Sequence, residues 1–184
     1  MIAPLLRGFT VPIPHLLTRY PGHSARSGFT LLELMVCLAI LALLSAVAVP
    51  SFQRQISSTR AQATARALMS AAMLARASAI RQGTPVTLCP DRADCDGYYD
   101  RGFGVYQDSR TPIRVYGVDD GTRIGNRAGS RRASEAITWD GRGIGNRNLT
   151  WVVCVSGGDP WAVVLNRVGR PRLERGIGQC LGAT

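Results

Sequence analysis

The chain has 184 residues, 46% hydrophobic and 18% charged, a balance that suits one compact domain plus a membrane-length segment and excludes two full cores. All 22 basic residues are arginine, set against 12 acids, so the formal charge of +10 rests on permanently ionised, fork-shaped donors and points to an anionic partner. Both histidines, His15 and His23, precede Gly28; the remainder holds no imidazole for general-base or metal chemistry and no G-x-S-x-G motif, which argues against an enzyme and against a cofactor.

Residues 1–28 combine Pro4, Pro12, Pro14 and Pro21 with Arg7, Arg19 and Arg26 and no acid, which reads as a targeting leader. Its removal leaves a charge of +7. Residues 34–49 carry no charge, and a helix begun at Phe29 is about 31 Å long by Val49, enough to span a bilayer. An ordinary secretory signal is cut after its apolar run. Here Ser27-Gly28 lies before it, so cleavage keeps the hydrophobic helix. Glu33 is the exception within that helix, because a carboxylate near the end of a membrane span costs about 2–3 kcal/mol. After cleavage it becomes the fifth residue behind a new α-amino group. The amine of one subunit is then able to neutralise the carboxylate of its neighbour and fix axial register; a Glu33 that snorkels to the headgroups is the alternative.

The run Gly28-Phe29-Thr30-Leu31-Leu32-Glu33-Leu34-Met35-Val36, followed by Pro50, resembles the class III signal of type IV prepilins and pseudopilins. The resemblance implies cleavage between Gly28 and Phe29 by the prepilin peptidase, methylation of the Phe29 amine and single-pass storage in the inner membrane with a periplasmic C-terminal domain. It further implies assembly with other major and minor pilins into a fibre at the cell surface. A 28-residue leader is long for this class and contains an earlier Gly8-Phe9-Thr10 with no Glu behind it, which is compatible with a start codon downstream of Met1.

Pro50 removes a backbone donor and is expected to kink the helix as it leaves the membrane. Helix resumes over 51–83, where Leu68, Ala71, Ala72, Ala75 and Ala79 form a stripe at helical spacing, broadened by Met69, Met73 and Ile80 into a face that packs under a sheet. Gly83 with Thr84-Pro85 ends it. Residues 84–184 change to short β-type runs at 86–89, 103–107, 113–116, 136–139, 151–155 and 161–165, the last two joined as a hairpin with a longer loop. The expected fold is α+β: a long N-terminal helix, half transmembrane and half amphipathic, packed on an antiparallel β-sheet domain.

Cys37 lies in the membrane helix and reads as a small apolar residue, whereas Cys89, Cys95, Cys154 and Cys180 lie in the exported domain. Two disulfides are expected there. Of the three connectivities, Cys89 with Cys95 is favoured by the short separation, and Cys154 with Cys180 because it pins the C-terminal segment. A zinc site is disfavoured by the lack of a C-x-x-C pair and by the oxidising compartment. Asp91, Asp94, Asp96 and Asp100 crowd the loop around Cys95, but their order is not an EF-hand loop; Arg92 and Arg101 are close enough to satisfy them in a polar turn.

The order Leu88-Cys89-Pro90, Gly102-Phe103-Gly104-Val105-Tyr106-Gln107-Asp108 and Gly169-Arg170-Pro171-Arg172 resembles the FimT/GspH family of minor pilins and pseudopilins. Residues 167–175 place Arg167, Arg170, Arg172 and Arg175 behind the last strong strand as a basic tail, opposed only by Glu174. Pro171 favours extended backbone at Arg170, so Arg170 and Arg172 are expected on one side of the chain. Paired guanidinium forks suit phosphates, and without aromatic or base-edge readers they bind double-stranded DNA regardless of sequence. In the FimT branch the G-R-x-R motif is associated with DNA capture in natural transformation, which the resemblance carries to Gly169, Arg170 and Arg172; Arg167 and Arg175 join by proximity. Arg127, Arg131 and Arg132 form a second cluster, either a solvated loop or an extension of the patch. The alternative function is structural, a pilus-priming subunit of the FimU type or a GspH-type pseudopilin of type II secretion, without DNA binding.

Overall fold

The structure, a computed structural model, describes residues 28–107, 111–166 and 168–181, so the expected leader lies outside the described residues apart from Gly28. Thr30 starts the helix α1 (Leu31–Gln82): its Oγ1 accepts the backbone N–H of Glu33 at 3.2 Å, in the Thr-x-x-Glu spacing of a capping box. Pro50 lies inside α1, which is assigned as helix through that position. The helix ends where Gly83, at φ +67°, donates its N–H to Ala79 O at 2.9 Å, a left-handed cap that favours glycine. By internal contacts the chain divides between Ile40 and Leu41. The part of α1 before that division exposes its apolar side chains, including Leu31 and Leu32, and α1 is long and apolar enough to cross a membrane.

From Leu41 onward the unit is built on the second half of α1. Ala61, Ala65, Leu68, Ala71, Ala72, Ala75 and Ala79 recur every three or four residues and are fully buried. The stripe is narrower than the sequence reading had it. Met73 and Ile80 remain 47% exposed, because each follows a buried alanine by one residue and so points about 100° round the helix.

Among the described residues eight strands follow: β1 (Val86–Pro90), β2 (Phe103–Tyr106), β3 (Pro112–Tyr116), β4 (Thr122–Gly125), β5 (Ile137–Trp139), β6 (Leu149–Val155), β7 (Trp161–Leu165) and β8 (Pro171–Arg175). They form two four-stranded antiparallel sheets, ordered β3-β2-β1-β5 and β4-β6-β7-β8. Leu88, Phe103, Val105, Ile137 and Trp139 from the first and Ile124, Trp151, Val153 and Val163 from the second join the alanine stripe in one core. Tyr99 lies among them, fully buried. Its hydroxyl lies 3.2 Å from Leu88 O and 3.1 Å from Glu135 O, and burial pushes its phenol well above the usual range.

Cys89–Cys95 and Cys154–Cys180 are disulfide-bonded. The second bond holds residues 176–181 across the outer face of the second sheet, which explains why Val152 and Ala162 are buried although they point away from the core. Gly178 lies against Val152 so closely that a Cβ there would collide with its Cγ2. In the loop around Cys95 the carboxylates have separate partners: Asp91 faces Arg101 at 3.8 Å, and Asp100 is gripped by both Nε and Nη2 of Arg132. Arg132, not Arg92, completes that set. Its guanidinium also lies 4.1 Å over the Tyr98 ring, and the bond to Asp100 raises its pKa further.

Candidate nucleic-acid interface

Residues 168–175 are not a tail. Pro171–Arg175 form β8, the edge strand of the second sheet, with Leu165 opposite Pro171 and Val163 opposite Leu173. The physical reason is long-range: Leu173 is the one strong apolar residue of the strand, and it packs against the core once β7 pairs with it. Between β7 and β8 the turn is closed locally. Gly169 N–H donates to Asn166 O at 3.0 Å, and Arg170 N–H donates to Asn166 Oδ1 at 2.8 Å. Gly169 sits at φ +72° against the Trp139 indole, where any Cβ would collide.

Gly169 is thus buried, with its N–H on Asn166 and its carbonyl accepting from Trp139 Nε1 at 2.9 Å. It positions Arg170. The Arg170 guanidinium is exposed and makes no ion pair or hydrogen bond with any described residue. Arg172 is also exposed, but its Nε lies 2.5 Å from Glu174 Oε1; such surface pairs are worth about 0–1 kcal/mol and exchange readily. Arg175 binds Asp159 at 2.6 Å, at the far end of β8, about 13 Å along the strand from Pro171. Proximity in sequence had grouped it with Arg170; the strand separates them. Arg167 lies outside the described residues.

Of the second cluster, Arg132 is committed to Asp100 and Arg131 to Glu135 at 2.8 Å. Arg127 is exposed and makes no ion pair or side-chain hydrogen bond with a described residue. With Arg147 it lines a polar groove of about 590 Å³ whose lining also includes Asn148 and Thr150. The sequence reading passed over Arg147 because it stands alone among Gly and Asn, and only the strand register brings it to the groove.

A long N-terminal helix with an apolar first half, its second half packed on antiparallel sheets, defines a pilin-like subunit. The family model described as "Type II transport protein GspH" matches residues 64–169, and that of the prokaryotic N-terminal methylation motif matches 23–49. The chain belongs to the GspH family of minor pilins and pseudopilins. A "Fimbrial protein" of Pseudomonas aeruginosa is 32% identical over 123 residues, which cover 62% of this chain and 78% of that protein. The crystal structure of the type IV minor pilin FimU of the same organism superposes with a TM-score of 0.54 at 18% identity, over 65% of this chain and 98% of that one. A second crystal form of FimU gives 0.51 at 17% identity, over 65% and 93%.

Proposed function

We propose that this subunit is cut between Gly28 and Phe29 by a prepilin peptidase, methylated on Phe29, held in the inner membrane and then built into a fibre with other pilins. There it binds double-stranded DNA without sequence preference, for uptake in natural transformation. The observation that carries the DNA reading is Arg170: a guanidinium with no partner among the described residues, on a turn held by Asn166, by Gly169 and by the Trp139 indole. Arg172, two residues on, adds a second fork that a phosphate can draw from Glu174.

The test is a salt-series titration of labelled duplex DNA with the full chain in nonionic detergent. Arg170→Gln combined with Arg172→Gln is expected to lower the slope of log affinity against log salt by about 2, because each lost phosphate contact removes about one released counterion. Equal binding and slope in parent and variant would sink the assignment.

A structural subunit that primes assembly is favoured by a separate observation. Arg172 and Arg175 both have intramolecular carboxylate partners, and the Arg175–Asp159 pair fastens the end of the edge strand to the β6–β7 loop without DNA. The same titration separates the two, since this reading predicts no DNA binding by the parent. Assembly has its own check. Glu33→Ala is expected to be processed normally but to be depleted from sheared pili, because the carboxylate that would answer the neighbour's amine is gone. Wild-type amounts in the fibre would refute the ion-pair role.

A further inference from the structure

The register of the second sheet sorts its loops by charge. One end gathers the exit of β4, the entry to β6 and the β7–β8 turn, because Gly125 pairs with Val152 and Leu149 with Leu165, which in turn pairs with Pro171. Those three loops carry Arg127, Arg131, Arg147 and Arg170. The opposite end gathers the entry to β4 with Asp119 and Asp120 and the β6–β7 loop with Asp159. That acidic end packs on α1 at Ser57 and Ser58 through Gly158, whereas the arginine end neighbours the 140–145 turn that packs on Arg76 and Ile80. Along α1 the two positions are about 30 Å apart.

We infer that the groove between residues 126–133 and 146–150 is a second phosphate-binding site, in which Arg127 and Arg147 extend the duplex contact that begins at Arg170. This rests on the DNA reading above. Three features support it. First, the groove is joined to the turn, since Gly145 and Gly169 abut so closely that a Cβ on Gly145 would lie 3.1 Å from Gly169 Cα. Second, Thr150 on the groove wall shares a row with Val164 and Arg172, two strand spacings or about 10 Å across the sheet. A duplex presents one charge per about 1.7 Å of axis, so a segment lying on Arg172 brings several phosphates over the groove. Third, the arginine loop is braced before any ligand arrives. Asn126 Oδ1 accepts from the backbone N–H groups of Ser130 and Arg131, and Gln179 N–H donates to Arg127 O at 3.1 Å. Its one carboxylate, Glu135, is taken by Arg131. Arg127 and Arg147 therefore have no competing described acid.

The experiment compares the full chain in nonionic detergent with Arg127→Gln plus Arg147→Gln, with Arg170→Gln plus Arg172→Gln, and with a charge-matched control, Arg54→Gln plus Arg60→Gln. The control removes exposed arginines near the acidic end. Labelled duplex is titrated across a salt series. The groove variant is expected to lose about 2 units of log–log slope and to bind roughly 30-fold more weakly at 0.15 M salt, from two lost counterion releases of about 0.9 each. The control is expected to keep the parental slope. A groove variant that binds like the parent while the Arg170/Arg172 variant is weakened overturns the groove and leaves the Arg170 reading intact. An equal loss in the control overturns it too, by reducing the effect to net charge. A parent that binds no DNA overturns both readings. Both groove arginines are exposed and have no described side-chain partner, so coincident thermal melts are expected for the parent and the groove variant.

Discussion

Trp139→Ala is expected to destabilise the chain by about 3–5 kcal/mol, the range for emptying a large buried aromatic site. Trp139 is fully buried on β5, the edge of the first sheet. Its indole N–H is bound to Gly169 O in the turn of the second sheet, so one side chain ties the two sheets together where Arg170 is displayed. Trp139→Phe separates the two contributions. It keeps most of the apolar contact but leaves Gly169 O buried without a donor, at a cost of about 1–3 kcal/mol. Urea unfolding followed by far-UV circular dichroism measures both. Should Phe prove as stable as Trp, the hydrogen bond does not hold the turn.

The spine and most strands were legible because local pattern and tertiary role agree. Leu68, Ala71, Ala72, Ala75 and Ala79 repeat at helical spacing, and Val152-Val153-Cys154-Val155 is apolar on both faces because α1 and the core lie on one side and residues 176–181 on the other. Two strands escaped. Thr122-Arg123-Ile124-Gly125 has one strong β-former flanked by arginine and glycine, and it is a strand because β6 pairs with it. Pro171-Arg172-Leu173-Glu174-Arg175 looks like a charged tail for the same reason, its strand character residing in β7. The arginines of the site could be counted from sequence but not paired. Which remain free depends on Asp100, Glu135, Glu174 and Asp159; Glu174 and Glu135 lie two and four positions from Arg172 and Arg131, but no short-range pattern matches Asp100 to Arg132 or Asp159 to Arg175. The Thr30-x-x-Glu33 cap was readable and was overshadowed by the membrane argument for Glu33.

Replacing both Cys154 and Cys180 with alanine is expected to cost about 3.5 kcal/mol, taking the loop-entropy relation for a separation of 26 residues. The corresponding figure for Cys89 and Cys95, separated by 6, is about 2.2 kcal/mol. The ordering is the stronger statement, because the longer loop constrains more of the unfolded chain, and urea unfolding of both double variants checks it. The functional consequence differs as well. Cys180 anchors the segment whose Gln179 braces Arg127 and whose Gly178 covers Val152, so its release uncovers apolar surface on the second sheet and loosens one wall of the arginine groove. Cys89–Cys95 closes a loop whose ion pair, Asp91 with Arg101, lies outside the lining of that groove. The Cys154/Cys180 variant is therefore expected to lose DNA affinity under conditions where it is still folded, while the Cys89/Cys95 variant keeps it. Equal DNA binding by the two folded variants would show that the covering segment does not hold the groove in place.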